Sequence, residues 1–133
     1  MQKDETKFAN DVRDALESVG GFCFNVHGHR FQKSGMPDMY VAHREWSGWV
    51  EFKVLNNSAS KLQMMKLKTL LVVGVPAFVV RLKENIVYCE LGKETLAYCE
   101  EWDRSKGLSR GKSLIKMFND AGSAAIEIMR EKP

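Results

Sequence analysis

Two acids and a lysine stand in a part of the sequence that otherwise predicts apolar β-strands. The stretch SGMPDMYVAHREWSGWVEFKV, residues 34–54, contains Asp38, Glu51 and Lys53. Alternation along the second strand places Glu51 and Lys53 on one face, about 7 Å apart. Since a carboxylate leaving water costs several kcal/mol unless a partner compensates it, a strand that only builds a core has no use for these groups.

These three side chains are the parts that metal-assisted phosphodiester hydrolysis needs. If the two strands pair as a hairpin, Asp38 at the start of the first lies beside Glu51 and Lys53 in the second. Adjacent carboxylates attract a hard cation such as Mg²⁺, which also takes water and phosphate oxygens. A lysine beside them can orient a water molecule or stabilise charge on phosphorus. The alternative is an exposed strand face with an ordinary ion pair.

Two helices are predicted to bring further polar groups to this sheet. Residues 4–19 are amphipathic, and Glu5 extends the apolar stripe, so it is predicted to meet the sheet; the alternative is a solvated acid in the first turn. A helix over 61–73 begins after Ser60, with Gln63 three residues on. Gln63 can point back across the sheet or act only in a capping box, and both roles can coexist.

The order of elements favours an α/β domain with a mixed central β-sheet flanked by helices. Strands are predicted in five segments, at 22–28, 38–43, 48–54, 76–82 and 85–91. Residues 93–104 are expected to form a short helix, and the C-terminal segment is expected to be helical with a break near Ala121-Gly122. This last part is interpreted as a cap, an arm or an oligomerisation element.

The arrangement of these residues resembles the PD-(D/E)XK nuclease signature, and its VRR-NUC branch most closely. In that branch a helix with an acid leads to G-x-P-D, then to a strand with hydrophobic-E-x-K, then to a helix that opens with S-x-x-Q. The matching residues, within a resemblance that covers residues 4–83, are Glu5, Gly35-Met36-Pro37-Asp38, Glu51-Phe52-Lys53 and Ser60-Lys61-Leu62-Gln63. The resemblance implies a restriction-endonuclease-like core over residues 1–91, with 92–133 as a C-terminal helical extension of the same domain or an arm.

The resemblance also implies a metal-dependent mechanism. Asp38, Glu51 and the backbone carbonyl of Phe52 would bind Mg²⁺ or Mn²⁺. Glu5 would support a metal or its water, and Lys53 would sit beside the water that attacks the phosphodiester.

Gln63 completes the implied catalytic set by helping to order the site. The branch includes structure-selective endonucleases that cut branched DNA, such as Holliday junctions and flaps, and small members that dimerise. The chain is therefore expected to be a homodimeric DNA endonuclease in the cytoplasm of a bacterial cell or a phage-infected host.

Two basic segments are candidates for contacts with DNA phosphates. The first precedes Asp38 and contains His27, His29, Arg30 and Lys33; a polar loop is the alternative, and a zinc site with Cys23 is conceivable but has no fourth ligand. The second is a run for which a solvated face is the alternative, and its members are Arg104, Lys106, Arg110, Lys112 and Lys116.

Bulk properties restrict the remaining functions. A length of 133 residues fits one domain, and a net charge of +3 tolerates a polyanionic partner without requiring one. The charged N-terminus predicts no signal peptide, and no apolar run approaches the roughly 18 residues that span a membrane, so no membrane association is expected. Cys23, Cys89 and Cys99 have no CxxC spacing and are expected to be reduced thiols.

Other functions stay open at this stage. One is a non-catalytic DNA-binding or assembly module that keeps the nuclease fold, although the intact set of two acids and a lysine argues against lost catalysis. Another is a nuclease for RNA or a sequence-specific restriction enzyme, but no element that reads bases is identified. Trp46 and Trp49 could stack on a base or fill a dimer contact.

Overall fold

The computed structural model describes residues 3–26 and 35–131. These residues form nine helices and strands. In chain order they are α1 (Lys3–Glu17), β1 (Phe22–Asn25), β2 (Met39–Ala42), β3 (Ser47–Val54), α2 (Lys61–Val72), β4 (Ala77–Lys83), β5 (Ile86–Leu91), β6 (Glu94–Cys99) and α3 (Gly107–Glu131).

The six strands form one mixed sheet in the order β1-β2-β3-β4-β5-β6. β3 and β4 are parallel, and the other neighbouring pairs are antiparallel. A parallel pair needs a crossover, which α2 supplies, whereas short turns join β2 to β3, β4 to β5 and β5 to β6. The predicted α/β architecture, a mixed sheet flanked by helices, is confirmed.

Alternation along β3 divides the sheet into two faces. Val50 and Phe52 are fully buried in the larger core, which also contains residues of α1 and α3. On the opposite side, which we call the α2 face, Trp49 packs against the cluster around α2, and Glu51 reaches α2 through a hydrogen bond to Gln63. The strand therefore places its charged side chains away from the main core, as the period of two predicts.

The prediction of a short helix over 93–104 is wrong. Residues Glu94–Cys99 form β6, which pairs with β5 after a turn at Gly92, where φ is +62°. Ala, Leu and Glu favour a helix locally, but pairing with β5 satisfies the backbone of both strands and packs Leu96 and Ala97 against buried residues. Tertiary pairing therefore overrides local propensity here.

The predicted break near Ala121-Gly122 is also wrong, because α3 is one helix of 25 residues. A Cβ on Gly122 would lie 2.5 Å from Nε1 of Trp46, so the glycine allows close packing instead of ending the helix. Trp46 is buried and packs its ring 5.5 Å from those of Phe78 and Phe118. It is a core residue, not a surface for a base or a second subunit.

The C-terminal third of the chain contributes to the same core as the N-terminal part. Trp102, Leu114 and Phe118 belong to the hydrophobic cluster that contains Phe8 and Phe52. Within the described ranges, no helix combines the length and the apolar character that crossing a membrane would demand.

Candidate active site

Gly35 allows the segment before β2 to pass close to the start of α2. Its φ is +80°, and a Cβ there would lie 2.6 Å from Cγ of Leu62, near the start of α2. Only glycine combines this backbone conformation with so little space. The start of β2, with Pro37 and Asp38, is thereby held close to the helix that carries Gln63.

At the end of the β2–β3 ladder, the side chain of Asp38 accepts the hydrogen bond that a backbone carbonyl would otherwise accept. Its side chain is 3% exposed, and its Oδ2 accepts a hydrogen bond of 2.7 Å from the Phe52 N–H. Met39 pairs with Val50, so the antiparallel register puts Pro37 opposite Phe52. Because Pro37 has no N–H, it cannot donate a hydrogen bond to the Phe52 carbonyl. In an extended strand, the carbonyl and the N–H of one residue point to the same side, so the Phe52 carbonyl also points towards Asp38.

Glu51 is held between two donors. Its Oε2 accepts a hydrogen bond of 2.9 Å from Nε2 of Gln63 and lies 3.5 Å from Nζ of Lys53. Its other oxygen, Oε1, is buried and accepts no hydrogen bond from any residue that the structure describes. A buried carboxylate oxygen without a donor is costly, so this atom needs an explanation.

The surroundings of Glu51 disfavour its ionised form. Burial and, after it, the charge of Asp38 raise the pKa of Glu51 from 4.5 to about 8, against the opposing effect of Lys53. When both acids are ionised, they repel each other, and Lys53 is the cation that the described residues place beside Glu51. A divalent cation would offset this repulsion and would favour the ionised form of both acids.

Gln63 performs both of the roles that the sequence left open. Its backbone N–H donates to Oγ of Ser60 at 3.1 Å, and its Oε1 accepts from the Ser60 N–H at 2.9 Å, which makes a capping box. Its Nε2 still reaches Glu51. The start of α2 is therefore tied to β3 through one side chain.

Glu5 is buried, as its position on the apolar stripe predicts, at 4% exposure. Its Oε2 accepts a hydrogen bond of 3.1 Å from Nδ2 of Asn57, in the loop after β3. Among the described residues, no three side chains of His, Cys, Asp or Glu form a group that could hold a metal ion. Glu5 thus contacts the loop beside the site and does not make Asp38 and Glu51 a cluster of three acids.

Arg81 is a residue near the site that the sequence analysis missed. It lies opposite Lys53 in the β3–β4 ladder, and its Nε contacts Oε1 of Glu90 at 2.8 Å. Its Nη1 donates to the carbonyls of Leu55 and Asn57, so it fastens the loop that leads to α2. A charged residue in an apolar strand is the signal that singled out Glu51, and the same signal marks Arg81.

Of the candidate DNA contacts, the structure describes only the second basic run, and this run does not lie beside the carboxylates. His27, His29, Arg30 and Lys33 lie outside the described residues. On the opposite side of the sheet, the guanidinium of Arg110 lies 3.5 Å from the centre of the Trp102 ring and donates to the Trp102 carbonyl. The other members of the basic run are exposed, and they are Arg104, Lys106, Lys112 and Lys116.

The residues present fit a hard divalent cation. The carboxylates of Asp38 and Glu51 and the carbonyl of Phe52 are oxygen donors, which Mg²⁺ and Mn²⁺ prefer. The buried Oε1 of Glu51 has no competing hydrogen-bond donor among the described residues. A set of two carboxylates also suits Mg²⁺, which usually keeps several waters and takes substrate phosphate oxygens.

Comparisons with known proteins bear on the fold. No protein-family model and no curated protein sequence matches the chain. Among solved structures, it is similar to Archaeoglobus fulgidus Hjc, a Holliday junction resolvase from an archaeal hyperthermophile. The TM-score is 0.52 at 17% sequence identity, and the match covers 84% of this chain and 98% of that chain. The chain therefore shares its α/β fold with a Holliday junction resolvase.

Proposed function

We propose that this protein is a metal-dependent endonuclease of the VRR-NUC type that hydrolyses DNA phosphodiester bonds. The observation that carries the proposal is the buried pair of Asp38 and Glu51 beside Lys53, with one Glu51 oxygen that accepts no hydrogen bond from the described residues. Burying these two acids in their ionised forms is costly unless a cation joins them. The fold shared with a Holliday junction resolvase supports nuclease chemistry over other uses of such a site.

In the proposed mechanism, Asp38, Glu51 and the Phe52 carbonyl would hold Mg²⁺ or Mn²⁺, which when bound would polarise the phosphate and lower the pKa of water. Lys53, whose side chain is 12% exposed, donates to the attacking water and stabilises charge on the phosphoryl group. Gln63 fixes Oε2 of Glu51 and leaves Oε1 for the cation. These groups are positioned before substrate binds, which lowers the reorganisation needed during reaction.

Glu5 is proposed to support the site indirectly. Its hydrogen bond to Asn57 fixes the loop after β3, and Arg81 holds the same loop through the Asn57 carbonyl. This loop connects the strand with Glu51 and Lys53 to the helix with Gln63. Glu5 is therefore a positioning residue in this proposal.

The substrate we propose is branched DNA, such as a Holliday junction or a flap, cut in the cytoplasm by a homodimer. One chain carries one site, so two symmetric cuts require two chains, and a two-fold dimer is the commonest arrangement. Phosphate contacts are assigned to two groups of basic residues. They are His27, His29, Arg30 and Lys33 ahead of β2, and Arg104 and Lys106 just before α3 with Lys112 in its first turns; Arg110 is left out because it stacks on Trp102.

The test is cleavage of labelled DNAs by the purified full chain. The panel contains linear duplex, single strand, flap, fork and four-way junction, each with Mg²⁺, Mn²⁺ or EDTA. We expect cleavage of the branched DNAs with either metal and none in EDTA. Lys53→Ala should lower the rate by about 100-fold or more, as for other donors that stabilise developing charge, with DNA binding retained.

A matched control is Lys93→Ala, since Lys93 is exposed in the β5–β6 turn, away from the loop after β3. It should cut like the wild type. Full activity of Lys53→Ala would contradict the site assignment. Binding of branched DNA with no cleavage under any condition would favour the non-catalytic module.

A further inference from the structure

Three aromatic side chains cross the α2 face of the sheet beside the carboxylate pair. Phe24 of β1 lies opposite Tyr40 of β2, and Tyr40 lies opposite Trp49 of β3. Residues directly opposite one another project from the same face. This aromatic row (Phe24, Tyr40 and Trp49) spans about 10 Å, and Trp49 stands two residues, about 7 Å, from Glu51 on the same strand.

Exposure increases along the aromatic row towards the edge of the sheet. Trp49 is half-buried and meets Tyr40 edge to face, with ring centres 5.1 Å apart. Phe24 is 44% exposed, and Phe22, two residues earlier on β1, is 65% exposed. Large aromatic side chains exposed together at one edge of a sheet commonly mark a binding surface.

We propose that the aromatic row stacks on unpaired bases of the DNA strand whose phosphate lies at the carboxylate pair. This inference rests on the proposed nuclease function and narrows its substrates to DNA with unpaired bases next to the cut. Aromatic rings stack on every kind of base, so they select unpaired bases without reading sequence. That property suits an enzyme that selects structure over sequence.

The position of the row favours DNA over a second copy of the chain. The row is continuous with the proposed catalytic surface, so a strand with one phosphate near Glu51 brings a neighbouring nucleotide to Trp49 and Tyr40. β1 has only four residues, and short edge strands pair poorly with other sheets.

The experiment compares two DNAs of equal length, a full duplex and a duplex with a single-stranded flap. The first unpaired nucleotide of the flap is 2-aminopurine, whose fluorescence reports stacking. Binding is measured in EDTA with the wild type and with Phe24→Leu, which keeps the apolar side chain but removes the aromatic face. The matched control is Tyr98→Leu, because Tyr98 is 61% exposed on β6, at the other edge of the sheet.

We expect Phe24→Leu to weaken flap binding by about 10-fold, the range of a lost base–aromatic stack, and to leave duplex binding unchanged. The change in 2-aminopurine fluorescence on binding should shrink with it, and Phe24→Trp should restore both. Tyr98→Leu should resemble the wild type.

Equal flap binding by Phe24→Leu and the wild type, with cleavage intact, would overturn the stacking role and leave the nuclease function standing. Equal weakening on both DNAs, together with loss of a dimer in sedimentation, would make the row a protein contact and also overturn the inference. A wild type that neither binds nor cuts any DNA would overturn the proposed function itself.

Discussion

Glu51 carries the clearest trace of a missing partner at the scale of single residues. Its pKa is about 8 because it is buried beside Asp38, and among the described residues Lys53 opposes the effect. A cation and a proton compete for the same carboxylate. The carboxyl group that holds a proton when no metal is bound is therefore the group proposed to bind the metal. In the proposed site, Oε1 of Glu51, which accepts no hydrogen bond from the described residues, is the oxygen offered to the cation.

This environment predicts how stability depends on pH in EDTA. The pKa of Glu51 is about 8 in the folded chain against 4.5 when unperturbed, so its contribution is fully present below about 4.5 and is lost as pH rises through about 8. The free energy of unfolding should therefore fall between pH 5 and pH 8. Glu51→Gln has no carboxyl group to ionise there, so its stability should fall less. Chemical denaturation at several pH values measures both, and parallel curves would contradict the assignment.

At the scale of elements, the capped N-terminus of α2 contacts the site. Ser60 caps the helix, whereas Gln63 both completes the capping box and donates to Glu51. The helix end and the carboxylate are thus fixed by one residue, and separate substitutions can distinguish the two roles.

Ser60→Ala should lower the free energy of unfolding by about 1 kcal/mol and leave most of the cleavage rate, since only the cap is lost. Gln63→Ala should lower stability similarly and should also reduce cleavage by about 10-fold to 100-fold, the usual effect of removing a group that orients a ligand. Denaturation curves and single-turnover cleavage rates measure the two effects. Equal cleavage by both variants would show that the contact with Glu51 has no catalytic consequence.

The glycines of α3 control how closely that helix packs. A Cβ on Gly111 would lie 2.3 Å from the carbonyl oxygen of Ala15 and 2.8 Å from Val19, both on the segment around α1. Alanine is the better helix former by about 1 kcal/mol, but backbone cannot move aside as a flexible side chain can.

Gly111→Ala should therefore destabilise the chain by about 1–3 kcal/mol, the usual cost of overpacking. The matched substitution is Ser113→Ala, at an exposed position of the same helix, which should be neutral or slightly stabilising. Urea denaturation of both variants decides the point. A stabilised Gly111→Ala would mean that α1 and α3 pack less closely than described.

Much of this architecture follows from local sequence patterns, because the spacing of apolar and capping residues determines which side chains are buried and where a helix begins. The period of two in β3 separates Val50 and Phe52 from Glu51, and the spacing of Ser60 and Gln63 marks the start of α2. The sequence failed where long-range packing decides the outcome. Pairing with β5 makes residues 94–99 a strand, and the contact with Trp46 explains Gly122 inside a helix.

The site follows the same division. The grouping of Asp38 with Glu51 was accessible because the hairpin is local and alternation sets the faces. The contact between Glu5 and Asn57 was not, since it joins residues 52 positions apart. Arg110 could not be separated from the other basic residues either, because its stacking on Trp102 depends on how α3 packs.

At the scale of the whole molecule, basic groups stand on the side of the sheet opposite the carboxylates. Lys112 and Lys116 of α3 line a cavity of about 480 Å³ together with Arg44 from the β2–β3 turn. In the proposed complex with branched DNA, one arm at the carboxylate pair leaves another arm for this surface. Each phosphate contact of a lysine releases counterions and makes binding depend on salt.

Lys112→Gln should weaken binding to linear and branched DNA alike and lower the slope of log K against log salt by about 1. Its control is Lys93→Gln, at an exposed position in the β5–β6 turn. Fluorescence anisotropy over a range of salt concentrations gives both slopes. Identical slopes for the two variants would remove Lys112 from the DNA contacts.

The measurement that tests the proposed active site most directly is single-turnover cleavage of a four-way junction by the wild type and by Asp38→Asn, with Mg²⁺ and with EDTA. Asp11→Asn is the matched control, because Asp11 lies on α1 and pairs with Lys7 at 3.0 Å. We predict metal-dependent cleavage by the wild type and the control, and none by folded Asp38→Asn that still binds the junction. Cleavage by Asp38→Asn at the wild-type rate would contradict the metal site.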